Sequence, residues 1–68
     1  MSVAIRINGQ ARELPAPWRV AELVADLGFA GKRVAVEVNG EIVPKSRYEA
    51  TRLAVDDRVE IVVAVGGG

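Results

Sequence analysis

Three short stretches of this chain alternate apolar and other residues with a period of two. They are Val3-Ala4-Ile5-Arg6-Ile7, Val34-Ala35-Val36-Glu37-Val38 and Val59-Glu60-Ile61-Val62-Val63. Side chains on a strand point to opposite faces in turn, so each stretch lines one face with three branched residues. Between the first two lies one stretch with a different period. Val20, Leu23, Val24 and Leu27 fall at i, i+3, i+4 and i+7 and share a single helical stripe. One apolar helix stripe and several one-sided strands have a simple joint solution, a single sheet packed on one helix.

The connections support that solution. Asn8-Gly9 and Asn39-Gly40 each follow an alternating stretch. Both residues of such a pair accept positive φ, which a two-residue hairpin turn needs. Short second strands follow, Gln10 to Leu14 and Glu41 to Val43, stopped by Pro15 and Pro44. The helix start has no Ser, Thr, Asp or Asn cap. With Arg19 at the cap position, Glu22 stands at N3 and Trp18 can staple onto Leu23. Trp18 is read as a partly buried staple in preference to a partner anchor. Gly28 suits the left-handed residue that closes a helix. Residues 45–52 are mostly polar, with Tyr48 the one large ring, and include a short helical turn; Leu53 and Val55 return to the core. Asp56-Asp57 makes a turn.

The order is ββαββ, a turn, then β. The last strand has the most continuous apolar run, so it is expected at the centre, beside the first strand and parallel to it. This is the α+β class in its β-grasp, or ubiquitin-like, form: a single mixed sheet on one helix. Sixty-eight residues make one domain at most, 1–68, with residues 65–68 read as a flexible C-terminal tail. A chain of this size buries only about 60% of the surface exposed when unfolded. Net stability is then roughly 3–10 kcal/mol.

Composition narrows the function. Nine basic and nine acidic residues cancel, which leaves no electrostatic footprint for nucleic acid or an anionic membrane. The chain has no Cys and no His, hence no thiol nucleophile and none of the commonest acid–base group or metal ligand. It is a poor candidate for an enzyme, and no bound cofactor or metal is expected. No apolar run reaches the ~20 residues of a membrane helix, and no secretory signal is visible, so the chain is read as soluble and cytoplasmic. Asp56-Asp57 is read as turn chemistry rather than a metal or acid–base pair. Lys45, Arg47 and Arg52 are read as a solvated face rather than the seat of an acidic partner.

Two features remain. Ala4, Ala35, Val62 and Ala64 point away from the helix and form a candidate docking face. The last strand then opens into Gly66-Gly67-Gly68, which bring no side chain and one reactive group, the α-carboxylate of Gly68. A carboxylate is a poor electrophile; joined to AMP as a mixed anhydride it gains a good leaving group. A tail without Cβ atoms fits a narrow channel and allows close backbone approach. Three extended residues reach about 10 Å, and ordering them costs roughly 3–6 kcal/mol, which a rigid docked domain can offset. Gly68 is therefore the candidate modified residue, and Gly66 and Gly67 the candidate threading residues.

The segment Val38-Asn39-Gly40-Glu41-Ile42-Val43-Pro44-Lys45, Tyr48 in the following turn, Leu53 through Ile61, and the ending Ala64-Val65-Gly66-Gly67-Gly68 together resemble the ThiS family, the bacterial sulfur carriers of thiamin biosynthesis. The similarity covers nearly the whole chain. It implies a carrier cycle. A ThiF-type adenylyltransferase would activate Gly68 with ATP and magnesium. Sulfur from a cysteine desulfurase persulfide would displace AMP and leave a thiocarboxylate. Thiazole synthase, ThiG, would take that sulfur into the thiazole ring. The chain departs from the family pattern at Asp56-Asp57, where Gly-Asp is common, and at Arg19, where Thr or Ser is common. Two alternatives stand beside this reading. One is the small subunit of molybdopterin synthase, whose chains are usually longer and often carry prolines before Gly-Gly, whereas residues 58–65 have none. The other is a ubiquitin-like modifier or interaction module.

Overall fold

A computed structural model describes residues 2–63. It contains β1 (Val3–Ile7), β2 (Gln10–Leu14), α1 (Val20–Asp26), β3 (Val34–Val38), β4 (Glu41–Val43) and β5 (Arg58–Val63), with one short helical turn at Lys45–Arg47. The five strands form one sheet in the order β2-β1-β5-β3-β4. β5 lies at the centre, parallel to β1 and antiparallel to β3, as its apolar run implies. The fold is the expected single mixed sheet on one helix. No helix among the described residues is long and apolar enough to cross a membrane.

Both hairpins turn at the predicted pairs. Asn8 and Asn39 have φ of 51° and 53°, followed by Gly9 and Gly40, also at positive φ. Positive φ at both central residues matches the right-handed twist of the flanking strands. Each turn fixes its register: Ile7 pairs with Gln10, and Val38 with Glu41.

The helix is short, and its ends explain how it persists. Arg19 is the N-cap in extended conformation, and its N–H donates to Glu22 Oε1 at 2.7 Å. The first two helical N–H groups are satisfied from outside the helix. Val20 N–H donates to the Thr51 carbonyl at 2.9 Å, and Ala21 N–H to the Tyr48 carbonyl at 3.0 Å. Orphan donors at a helix start need partners, and here the irregular segment 48–51 supplies them. At the other end Gly28, at φ 82°, closes a Schellman motif: Gly28 N–H donates to Ala25 and Phe29 N–H to Val24.

The core is Val3, Ile5, Leu14, Val20, Leu23, Val24, Val36, Leu53, Val59 and Ile61. Ile7, Trp18, Leu27, Val34 and Val38 pack partly buried against it. Three residues differ from the pattern reading. Val63, expected on the core face with Val59 and Ile61, is 38% exposed, because it lies past the core at the end of the strand, where its partner Val34 is itself only partly buried. Leu14 joins the core although its strand shows little alternation, because it pairs with buried Val3. Val55 does not return to the core; it is 64% exposed. It sits in the turn closed by the bond from Asp57 N–H to the Ala54 carbonyl, and a turn tip points at solvent whatever residue occupies it. Asp56 takes the left-handed position there, at φ 69°.

Candidate functional site

The site is built on β5. Its Val59 and Ile61 are buried under α1, while Arg58, Glu60 and Val62 face outward. Hydrogen bonds clasp this strand from both sides. Near its start, Asn39 N–H donates to the Arg58 carbonyl at 2.7 Å, and Arg58 N–H donates to Asn39 Oδ1 at 2.9 Å. Asn39 Nδ2 also donates to Asp57 Oδ1 at 2.9 Å, and Asp57 Oδ2 accepts the Ala54 N–H at 2.8 Å. The Asp57 carboxylate is thus occupied in fixing the turn that launches β5. On the β1 side, Asn8 bonds the backbone of Val59 and Ile61.

The outer face of the sheet places the candidate docking residues unequally. Ala35 and Val62 are direct cross-strand partners near the last described residue of β5. Val62 is 63% exposed. Ala4 is on the same face but far from them. Arg6 pairs with Arg58 across the parallel β1–β5 ladder, so Ala4 lies level with Asp56. At about 3.3 Å per residue that is roughly 20 Å from Val62 along the strand direction. The alternation gives the face correctly, but the parallel register decides position along it. Ala64, Gly66, Gly67 and Gly68 lie outside the described residues.

Ile42 adds to this end of the outer face from β4, with β3 between it and Val62. It is 72% exposed, and it pairs with Glu37, two residues from Ala35 on the same face. The two-residue Asn39-Gly40 hairpin already fixes that pairing, so the sequence held the signal. Ala35, Ile42 and Val62 therefore form an apolar cluster, bordered by Glu37 and Glu60, which are themselves cross-strand partners. The cluster can bury apolar area against a partner, and its two carboxylates can meet partner cations. No group of His, Cys, Asp or Glu able to hold a metal ion occurs among the described residues.

Known proteins share this architecture and more. The sequence profile of the ThiS family matches residues 5–68. The sulfur carrier protein ThiS of Bacillus subtilis is 43% identical over 72% of this chain and 74% of its own length. A thiazole synthase of Paramagnetospirillum magneticum contains a stretch 45% identical to 91% of this chain, which spans only 19% of that protein. The crystal structure of the thiamine biosynthesis protein ThiS from Geobacter metallireducens superposes with a TM-score of 0.82 at 30% identity, covering 97% of this chain and 100% of that one. The match thus runs from the first strand through all three terminal glycines, on a shared sheet and helix, and the chain belongs to the ThiS family.

Proposed function

We propose that this protein carries sulfur on the carboxyl group of Gly68 for formation of the thiazole ring of thiamin. The observation that carries this reading is the extent of the family match, which includes Gly66, Gly67 and Gly68. In a chain that ends at Gly68, the terminal carboxylate attacks the α-phosphorus of ATP, with magnesium bound by the activating partner, and pyrophosphate leaves. The product is an acyl adenylate. A persulfide sulfur from a cysteine desulfurase or sulfurtransferase then adds to the acyl carbon and AMP leaves; a second thiol reduces the resulting acyl disulfide to the thiocarboxylate. The chain is a co-substrate of its partners rather than an enzyme. The ThiF-type adenylyltransferase supplies the activation, and thiazole synthase is the acceptor. A thiazole synthase that contains a stretch like this chain supports that acceptor over a molybdopterin synthase.

The folded part holds the tail and docks it. Ala35, Ile42 and Val62 form the surface we assign to docking, beside the last described residues of β5. Val62→Asp places a charge on the β5 side of that cluster, directly opposite Ala35. It should weaken binding to the adenylating partner by about 2 kcal/mol or more, the range of an interface hot spot. Stability should change by less than about 0.5 kcal/mol, because the side chain is exposed. Titration calorimetry and thermal unfolding of the same sample check both halves. Unchanged affinity would move the docking surface elsewhere.

The reading as a whole is tested by transfer. Thiazole synthase given the converted chain as its sole sulfur source should form thiazole product carrying the label of a radioactive sulfur donor. Product formed equally well from the unconverted chain would rule out the carrier role.

A further inference from the structure

β1 ends at Ile7, yet β5 continues to Val63. Pairing between these parallel strands covers Arg6 with Arg58 and Ile7 with Val59. At Asn8 the main chain turns away, and its N–H donates to the Val59 carbonyl at 2.9 Å. From there the side chain takes over. Asn8 Oδ1 accepts the Ile61 N–H at 2.9 Å, and Asn8 Nδ2 donates to the Ile61 carbonyl at 3.2 Å. A carboxamide carries the same donor and acceptor as a peptide group. It stands where another residue of β1 would pair. On the opposite edge β3 continues to pair as far as Val63.

We propose that Asn8 is a positioning residue for the segment that follows Val63. It fixes β5 at Ile61, seven positions before Gly68, so that a docked chain presents its terminus from a set point. This rests on the carrier reading above. Held by β3 alone, the end of β5 could pivot about that edge, and a small rotation at Ile61 grows with distance along the chain. The reacting carboxyl group would then reach the ATP phosphate in fewer of the docked complexes. Docking itself, through Ala35, Ile42 and Val62, would be little altered.

The test compares two glycine substitutions. Asn8→Gly removes the carboxamide but keeps a residue that accepts positive φ, so the hairpin still forms. Asn39→Gly does the same at the other turn, where the carboxamide bonds Arg58 and Asp57 at the start of β5. Adenylation is measured against carrier concentration with a ThiF-type adenylyltransferase already active on its own carrier, alongside amide hydrogen exchange. Asn8→Gly should lower kcat by about tenfold with KM within about twofold, a loss felt after binding. The Ile61 amide should exchange about tenfold faster or more. Asn8→Asp, which keeps the acceptor for the Ile61 N–H, should fall between. Asn39→Gly should lower the unfolding temperature comparably yet leave kcat unchanged. Equal kcat losses in the two glycine variants, or none in Asn8→Gly, would overturn the proposal. If the unaltered chain is not adenylated, the carrier reading fails first and the proposal with it.

Discussion

Leu53→Ala is expected to lower the free energy of unfolding by roughly 2–5 kcal/mol, the range for truncating a well-packed core leucine. Leu53 lies in no strand or helix, yet it is only 1% exposed. Its N–H donates to the Trp18 carbonyl at 2.8 Å, which ties it to the entrance of α1. The same irregular segment, through Tyr48 and Thr51, satisfies the first two N–H groups of the helix. A cavity at Leu53 therefore loosens both the core and the structure that caps α1. For 68 residues the whole stability is roughly 3–10 kcal/mol, so much of it would be lost. Urea unfolding should show a lower midpoint with the slope unchanged. Val55→Ala, two residues on, should cost less than about 0.5 kcal/mol because Val55 faces solvent. Equal effects at the two positions would contradict the assignment of the core.

Deleting Gly68 should abolish sulfur loading and leave the fold intact. Removing one extended residue withdraws the carboxyl group by about 3.3 Å. A misplacement of even about 1 Å can cost on the order of 100-fold in rate. The shortened chain still ends in a glycine carboxylate, so the loss would come from reach alone. Unfolding temperature should match the full-length chain. Loading by the shortened chain at an undiminished rate would show that the partner does not measure the length of the tail. Gly67→Ala tests the other half of the reading, that the channel accepts no side chain, and should slow loading without affecting stability.

Much of the architecture was legible in the residue pattern because three strands are one-sided and both hairpins use Asn-Gly. The period of two separates the faces, and the turn pairs fix the registers of β1 with β2 and of β3 with β4. What the pattern does not contain is tertiary. The cap supplied to α1 by Tyr48 and Thr51 comes from carbonyl groups, which every residue has, so no side-chain signature marks it. Leu14 is hidden in a strand of polar residues and is buried only because it meets Val3 at the edge of the core. Val55 looks like core by composition and is turned outward by the hydrogen bonds of Asp57. Ala4 lies on the outer face as predicted, but the parallel pairing of β1 with β5 sets it level with the wrong end of the strand. The role of Asn8 is of the same kind. The sequence marks it as a turn residue, and only the structure shows its carboxamide filling the gap beside Ile61.

The central claim is that Gly68 bears the transferred sulfur. Its most direct measurement is intact-mass and fragmentation spectrometry of the 68-residue chain after incubation with an active ThiF-type adenylyltransferase, ATP, magnesium and a sulfide source. The account predicts a mass increase equal to the difference between sulfur and oxygen, located by fragmentation on the last residue. An unchanged mass, or a sulfur found anywhere other than Gly68, would contradict it.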